Sequence, residues 1–404
     1  MKQGSDPEFL PVAGIRLGTA SAGIKYAERR DLVAIELNEG ASCAAVFTRN
    51  AFCAAPVTVA REHLGVGMPR YLLINSGNAN AGTGRDGVRA ARETCQVLAA
   101  ARGCAGDRVL PFSTGVIGEP LPAHKIALAV PDLLSSLRAG GWGEAARAIM
   151  TTDTVPKLTS RRIEIEGRAV TVTGMAKGSG MIRPDMATML AFIATDAPVE
   201  QRLLQHCLEE AVAPSFNSIT VDGDTSTNDA CVLIASGESG CSLIDHPEAP
   251  GYAPLAEAVR EVCMELARAI VKDGEGATKL VEVLVEAARD REEARAVAYT
   301  IAHSPLVKTA VFASDPNWGR ILAAVGRAGL SELDIDAVEI WLDDLCIVRD
   351  GGRAADYTEQ AGQRVMDRAE FTVRVVLGRG DAGARVLTCD LSYDYVKINA
   401  EYRT

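Results

Sequence analysis

The feature that most constrains this chain is a junction. Lys177-Gly178-Ser179-Gly180-Met181-Ile182-Arg183-Pro184-Asp185-Met186-Ala187-Thr188-Met189-Leu190 runs from a glycine-bearing loop with one lysine into an apolar strand. Thr188 stands at the join, behind a small alanine. The arrangement suits a chain that cuts itself between Ala187 and Thr188. The new N-terminal threonine would carry an Oγ nucleophile and its own α-amine as base, and could perform acyl transfer without a histidine. On the residues alone, the plainer reading is a β-branched residue opening the buried strand Met189-Leu190-Ala191-Phe192-Ile193.

A length of 404 residues allows two or three domains and a large core. Hydrophobic residues at 48% and charged residues at 24% are an ordinary globular composition. The net charge of -11 argues against a nucleic-acid or anionic-membrane surface, because phosphate binding needs clustered Lys and Arg. There is no apolar run of about eighteen residues, so no membrane span is expected. Residues 1–9 read as an expression scar with no signal-peptide pattern, and they are set aside from fold reasoning. The ten cysteines include no C-x-x-C pair, which reads as reduced, buried thiols of a cytosolic protein. The five histidines are isolated, and no metal site is expected.

Along the chain, residues 31–58 read as strands around a turn at Asn38-Glu39-Gly40. A strand from Tyr71 to Ile74 enters the amide-rich loop Asn75 to Gly84, and a helix follows with Val88, Ala91, Cys95 and Leu98 on one face. Residues 162–173 form a hairpin around Glu166-Gly167. After the junction strand, Thr195-Asp196-Ala197-Pro198 has the form of a helix start, and Leu203, Leu204, Cys207, Leu208 and Ala211 mark the buried face that follows. A long helix is expected at about 254–271, a helix at 291–303 and another from about Asn317. Strands are expected at 280–285, 306–313, 338–342, 370–378, 385–390 and 393–398. Mixed elements of this kind imply a layered α/β architecture, with a boundary near residue 285.

Taken together, these stretches resemble the ornithine acetyltransferase family, also called bifunctional arginine biosynthesis protein or glutamate N-acetyltransferase. The resemblance runs from about Val12 to Thr404. It rests on Gly23-Ile24-Lys25, Asn75 to Ala81, Ser113 to Gly118, Thr151-Thr152-Asp153-Thr154, Lys177 to Leu190, Asp273 to Lys279, Asp315 to Arg320 and the tail Ile398 to Thr404. Any one is weak; in this order they are specific. The resemblance implies an αββα sandwich with a smaller C-terminal α+β domain at about 285–404. It implies self-cleavage into an α chain (10–187) and a β chain (188–404), assembled as an α2β2 heterotetramer. It implies acetyl transfer from N2-acetylornithine to L-glutamate in arginine biosynthesis, in the cytoplasm. No cofactor is implied; some members of the family also use acetyl-CoA as donor. The family usually has asparagine where this chain has Asp185. An ionised carboxylate accepts but does not donate, which is expected to alter the rate of cleavage; Lys177, Ala187 and Thr188 are intact, so cleavage itself is expected to survive.

Residue by residue, the resemblance makes Thr188 the nucleophile, first of the Ala187 carbonyl and then of the acetyl group. Its α-amine, with an ordinary pKa near ~8, would serve as the base. Thr114 and Gly115 match the oxyanion pair; one such donor is worth roughly 3 kcal/mol. A plain strand-to-helix turn explains those two residues equally well from sequence alone. Thr151, Lys177, Thr188, Glu275, Asn399 and Thr404 match the substrate contacts, Lys177 offering a cation and Glu275 an anion to amino-acid substrates. For Lys177 and Glu275 taken singly, a solvated loop charge is the usual fate.

Competing motifs fail. Gly274 to Lys279 lacks the Gly-Lys-Ser/Thr order of a phosphate loop. Asp222-Gly223-Asp224 lacks the remaining ligands of a calcium loop. The glycines of 77–84 miss the dinucleotide spacing. Two other functions remain open. A hydrolase of the same maturation class, an aminopeptidase or an acetylornithine deacetylase, would pass the acyl group to water. A non-catalytic ligand-binding α/β protein would stay in one piece.

Overall fold

The computed structural model describes residues 9–183 and 189–401. The chain divides into two compact units. The first comprises Met1–Gly178, Pro184–Asn217 and Asp224–Ile270, the second Ser179–Arg183, Ser218–Gly223 and Val271–Thr404. The main segment of the second unit thus starts at Val271, ahead of the boundary near 285 read from the sequence.

The first unit holds two sheets. One orders β1 (Ile15–Ala20), β2 (Leu32–Leu37), β4 (Tyr71–Asn78) and β5 (Val109–Val116) as β1-β2-β4-β5. The other contains β3 (Ser42–Phe47), β6 (Lys157–Ile165), β7 (Arg168–Lys177), β8 (Leu190–Thr195) and β9 (Ala230–Ala235), ordered β3-β9-β8-β7-β6. Side chains alternate across each strand, and here both faces are apolar. Val33, Ile35, Leu72, Ile74, Leu110 and Phe112 of the first sheet meet Met175, Leu190, Phe192, Val232 and Ile234 of the second in one core. Phe112 and Phe192 touch edge to face across it, with centroids 5.2 Å apart.

The outward residues of the first sheet, Leu32, Ala34, Tyr71, Leu73 and Val109, pack on α2 (Gly84–Arg102) and α3 (Ala123–Ser135) through Cys95, Leu98, Ile126 and Leu133. The second sheet is covered by α6 (Tyr252–Lys272). A side chain at Gly174 would place its Cβ 2.7 Å from Val262 and 3.1 Å from Leu266. Along the edge strand β3 lies α5 (Gln201–Val212), whose Gln201 and Gln205 bond the β3 backbone at Cys43 and Ala45. The remaining helices are α1 (Ala55–Val66) and α4 (Trp142–Ala148). Helix, sheet, sheet, helix is the αββα sandwich expected.

The second unit is α+β. Its sheet orders β10 (Leu280–Ala288), β11 (Glu339–Leu342), β12 (Leu345–Arg349), β13 (Gly352–Arg353), β14 (Glu370–Val376) and β15 (Ala382–Cys389) as β13-β12-β11-β14-β10-β15. One face, with Val281, Val283, Val285, Phe371, Val373 and Val375, is buried against α7 (Arg291–Ala302) and α9 (Trp318–Gly326). The intervening residues of β14 are only half-buried, which is the alternation read from its sequence. Three helices complete the unit: α8 (Pro305–Phe312), α10 (Glu359–Met366) and α11 (Tyr393–Ala400).

Two of these helices correct sequence expectations. Residues 306–313 and 393–398 read as strands, yet α8 and α11 are helices. Each starts at a serine, Ser304 or Ser392, whose side chain accepts a backbone N–H of the first turn. Pro305 at the first turn of α8 adds a preset backbone angle. Two other boundaries also move. The first is α5, capped by Glu200 rather than started at Thr195, which ends β8. The second is the 31–58 stretch, which ends in helix α1.

Candidate active site

The site is built at strand ends of the first unit. In the first sheet, β4 and β5 run parallel and finish together: Ser76 lies opposite Thr114 and Gly77 opposite Gly115, with the register shifting just beyond. Gly115 has φ 135°, and a Cβ there would collide with the Gly77–Asn78 backbone, so no side chain fits. Thr114 is buried.

The amide-rich loop explains how this bend is held. The Ser113 hydroxyl donates to Asn75 Oδ1 (2.6 Å), and Asn75 Nδ2 donates to the Asn78 carbonyl (2.8 Å). Asn78 Nδ2 reaches the carbonyls of Glu119 and Pro120, and Asn80 Nδ2 that of Gly87 (2.9 Å). An amide both donates and accepts, so a run of asparagines can satisfy strand ends that have lost their ladder partners. The Ile24 and Lys25 side chains pack over Gly77, which places the Gly23-Ile24-Lys25 motif against the same bend.

A second strand end brings in the junction. β8 begins at Leu190, paired with Lys177 at the end of β7 and with Ala230 of β9. Asn228 and Asp229, just before β9, clip the two sheets together. Asn228 Nδ2 donates to the carbonyls of Ala79 (2.7 Å), just past β4, and Ser113 (2.9 Å), in β5 of the first sheet. Asp229 Oδ1 accepts the N–H of Met189 (3.0 Å), the residue bonded to Thr188. Burial raises the Asp229 pKa well above the ordinary carboxyl value, against a Ser226 hydrogen bond, the Met189 N–H and the charge of Lys177. Among the described residues its buried Oδ2 has no hydrogen-bond partner.

Lys177 itself is buried, its side chain 6% exposed. Its ammonium lies 4.0 Å from Asp153 Oδ2, the oxygen that also accepts the Thr151 N–H (3.0 Å). Asp153 Oδ1 takes Lys157 Nζ and the Gly178 N–H, both at 2.7 Å. Burial alone would raise the Asp153 pKa; the Lys177 and Lys157 charges, with hydrogen bonds from Lys157 and Gly178, overcome it and hold the carboxyl far below the usual range.

In the second unit, Glu275 is buried and its Oε2 accepts Nδ2 of Asn399 (2.8 Å). The Glu275 N–H donates to the Ser179 carbonyl (2.9 Å), and Gly180 lies so close to the carboxyl that a Cβ there would collide with it.

The expected residues therefore fall into three groups. Thr114 and Gly115 meet the segment leading into β8 through Asn228 and Asp229. Thr151 and Lys177 meet on Asp153. Glu275 and Asn399 meet each other. Ala187, Thr188 and Thr404 lie outside the described residues, as does Asp185. Sequence reasoning gave no role to Asp153, Lys157, Asn228 or Asp229. Asp153 was visible inside a motif, but nothing local distinguishes a buried carboxylate from an exposed one. Among the described residues no three of His, Cys, Asp or Glu converge as a metal would need, and no helix is long and apolar enough to cross a membrane.

Comparison with known proteins shows what this chain is similar to. The model of the ArgJ family matches residues 16–404. The arginine biosynthesis bifunctional protein ArgJ of Methylococcus capsulatus is 64% identical over 400 residues, covering 99% of this chain and 98% of that protein. The protein of the same name from Psychrobacter arcticus is 55% identical over 399 residues, 98% of each. Among solved structures, the arginine biosynthesis bifunctional protein argJ of Bacillus halodurans is 39% identical and superposes with a TM-score of 0.49, over 52% of this chain and 97% of that one.

Proposed function

The chain belongs to the ArgJ family, and from that premise we propose that it moves an acetyl group from N2-acetylornithine to L-glutamate in arginine biosynthesis. In this reading the precursor first cuts itself between Ala187 and Thr188. The observation that carries the reading is the Asn228-Asp229 clip. It ties the Thr114-Gly115 strand end to the residue that follows Thr188.

The α-amine of Thr188 takes the Oγ proton as Oγ bonds to the acetyl carbonyl carbon. The oxyanion so formed is met by the Thr114 hydroxyl and the backbone at Gly115. Collapse breaks the C–N bond, and the ornithine amine leaves with the proton held by the α-ammonium. The amine of glutamate then attacks the acetyl-threonine ester, and the same steps in reverse release N-acetylglutamate and restore the Oγ–H. Lys177 meets a substrate carboxylate and Glu275 a substrate ammonium group, with Thr151, Asn399 and Thr404 completing the contacts. Every proton is returned, so the cycle as written calls for no cofactor. Acetyl-CoA serves as a second donor to glutamate in this reading, the two chains assemble as α2β2, and the enzyme works in the cytoplasm.

Two measurements test this. Intact mass of the purified protein should show two fragments that meet at Ala187/Thr188, and Thr188→Ala should give one unbroken chain without turnover. With labelled N2-acetylornithine, the label should appear on glutamate. Label recovered only as acetate would replace this reading with the hydrolase, and a single chain that still turns over would remove the mechanism.

A further inference from the structure

The mechanism above uses Lys177 and gives no role to the two buried charges beside it, Asp153 and Lys157. The side chains of Asp153, Lys157 and Lys177 are 0%, 1% and 6% exposed. Asp153 stands in the segment before β6, Lys157 opens β6 and Lys177 closes β7, the neighbouring strand. One carboxylate thus touches the Thr151 backbone, the Gly178 backbone and, at longer range, the Lys177 ammonium. The separations differ in a way that matters. Lys157 makes a hydrogen-bonded ion pair at 2.7 Å, whereas Lys177 stands at 4.0 Å. Coulomb attraction in a buried site is strong at both distances, but toward Asp153 only the shorter contact is a directional bond.

We propose that Asp153 is a positioning residue of the acetyl-transfer site. It holds Thr151 and Lys177 where an amino-acid carboxylate is received, and Lys157 is the counter-ion that keeps Asp153 from drawing Lys177 onto itself. The proposal rests on the reading of Lys177 as a substrate contact. Its two oxygens divide the work: Oδ1 is occupied by Lys157 and the loop backbone, Oδ2 by Thr151 with Lys177 alongside. Removing Lys157 leaves a buried carboxylate whose nearest cation among the described residues is Lys177, so Lys177 closes on it and loses its reach toward substrate. Removing Asp153 releases Lys177 and the loop at Gly178 together.

A double-mutant cycle on kcat/KM for glutamate tests this, because a residue acting through Lys177 loses its effect once Lys177 is gone. Asp153→Asn and Lys157→Met should each raise KM at least about tenfold with a smaller change in kcat. In the Lys177→Met background, Asp153→Asn should change kcat/KM by less than about twofold. Where Asp153→Asn melts below the assay temperature, Asp153→Asn with Lys157→Met, which removes the pair together, goes through the same cycle under the same criterion. Effects of Asp153 and Lys177 that multiply would overturn the proposal, as would an unchanged KM in Lys157→Met. A wild-type protein that transfers no acetyl group to glutamate would instead overturn the function on which the proposal rests, and that is read before any variant is made.

Discussion

At the scale of single residues, the site depends on polar groups that buried backbone has to find. Thr114 and Asn228 separate chemistry from structure. Thr114→Ala removes one proposed oxyanion donor, so kcat should fall about a hundredfold (roughly 3 kcal/mol) while the melting temperature holds, as steady-state kinetics and a thermal melt would show. Asn228→Ala instead strips two buried carbonyls, those of Ala79 and Ser113, of their donor. Its expected cost is roughly 2–3 kcal/mol of unfolding free energy, read from the urea midpoint. An Asn228→Ala protein as stable as wild type would mean that the clip between the sheets is not needed to hold them.

At the scale of elements, close packing of α6 on the second sheet decides what β7 can carry. Gly174 is the one position of that strand where the helix leaves no room for a Cβ, with Val262 at 2.7 Å. Gly174→Val should destabilise the protein by about 1–3 kcal/mol through overpacking, seen as a lower urea midpoint with an unchanged slope. Strand and helix identity was legible where the apolar period was clean: β14 reads with period two, α6 with period 3.6. It was misread at α8 and α11, where Leu306-Val307 and Tyr395-Val396 look like strand residues. There the capping serines, not the apolar pattern, set the backbone. Short helices carry too few turns for periodicity to outvote β-branched residues.

At the scale of the molecule, each unit has its own core, and the second holds a histidine that ties its stability to pH. His303, in the second unit, has its pKa lowered to about 4 by burial first, then by the charges of Arg183, Lys308 and Arg327. The Thr220 hydroxyl donates to the Ile182 carbonyl, so His303 Nε2 is the donor to Thr220 Oγ1 (3.1 Å), which assigns the neutral tautomer. A folded pKa below the unfolded value near 6.5 means that stability is complete above about pH 6.5 and declines as the pH falls toward about 4. His303→Gln should flatten that part of the curve of melting temperature against pH. A variant with the same acid slope as wild type would assign the loss to other groups.

Alone, the sequence determined the layered class, most element types and the order of motifs that marks the family, because these follow from local periodicity, turn chemistry and residues read one stretch at a time. Only the tertiary structure decided which polar residues serve the site. Asp153 meets Thr151 and Lys177, and Asn228 and Asp229 meet Ser113 and Met189, across as many as 115 positions of chain. Such contacts arise where strands from separate stretches end side by side. Whether a carboxylate there is ionised or neutral is set by what surrounds it, which is why Asp153 and Asp229, the same residue type, are driven in opposite directions.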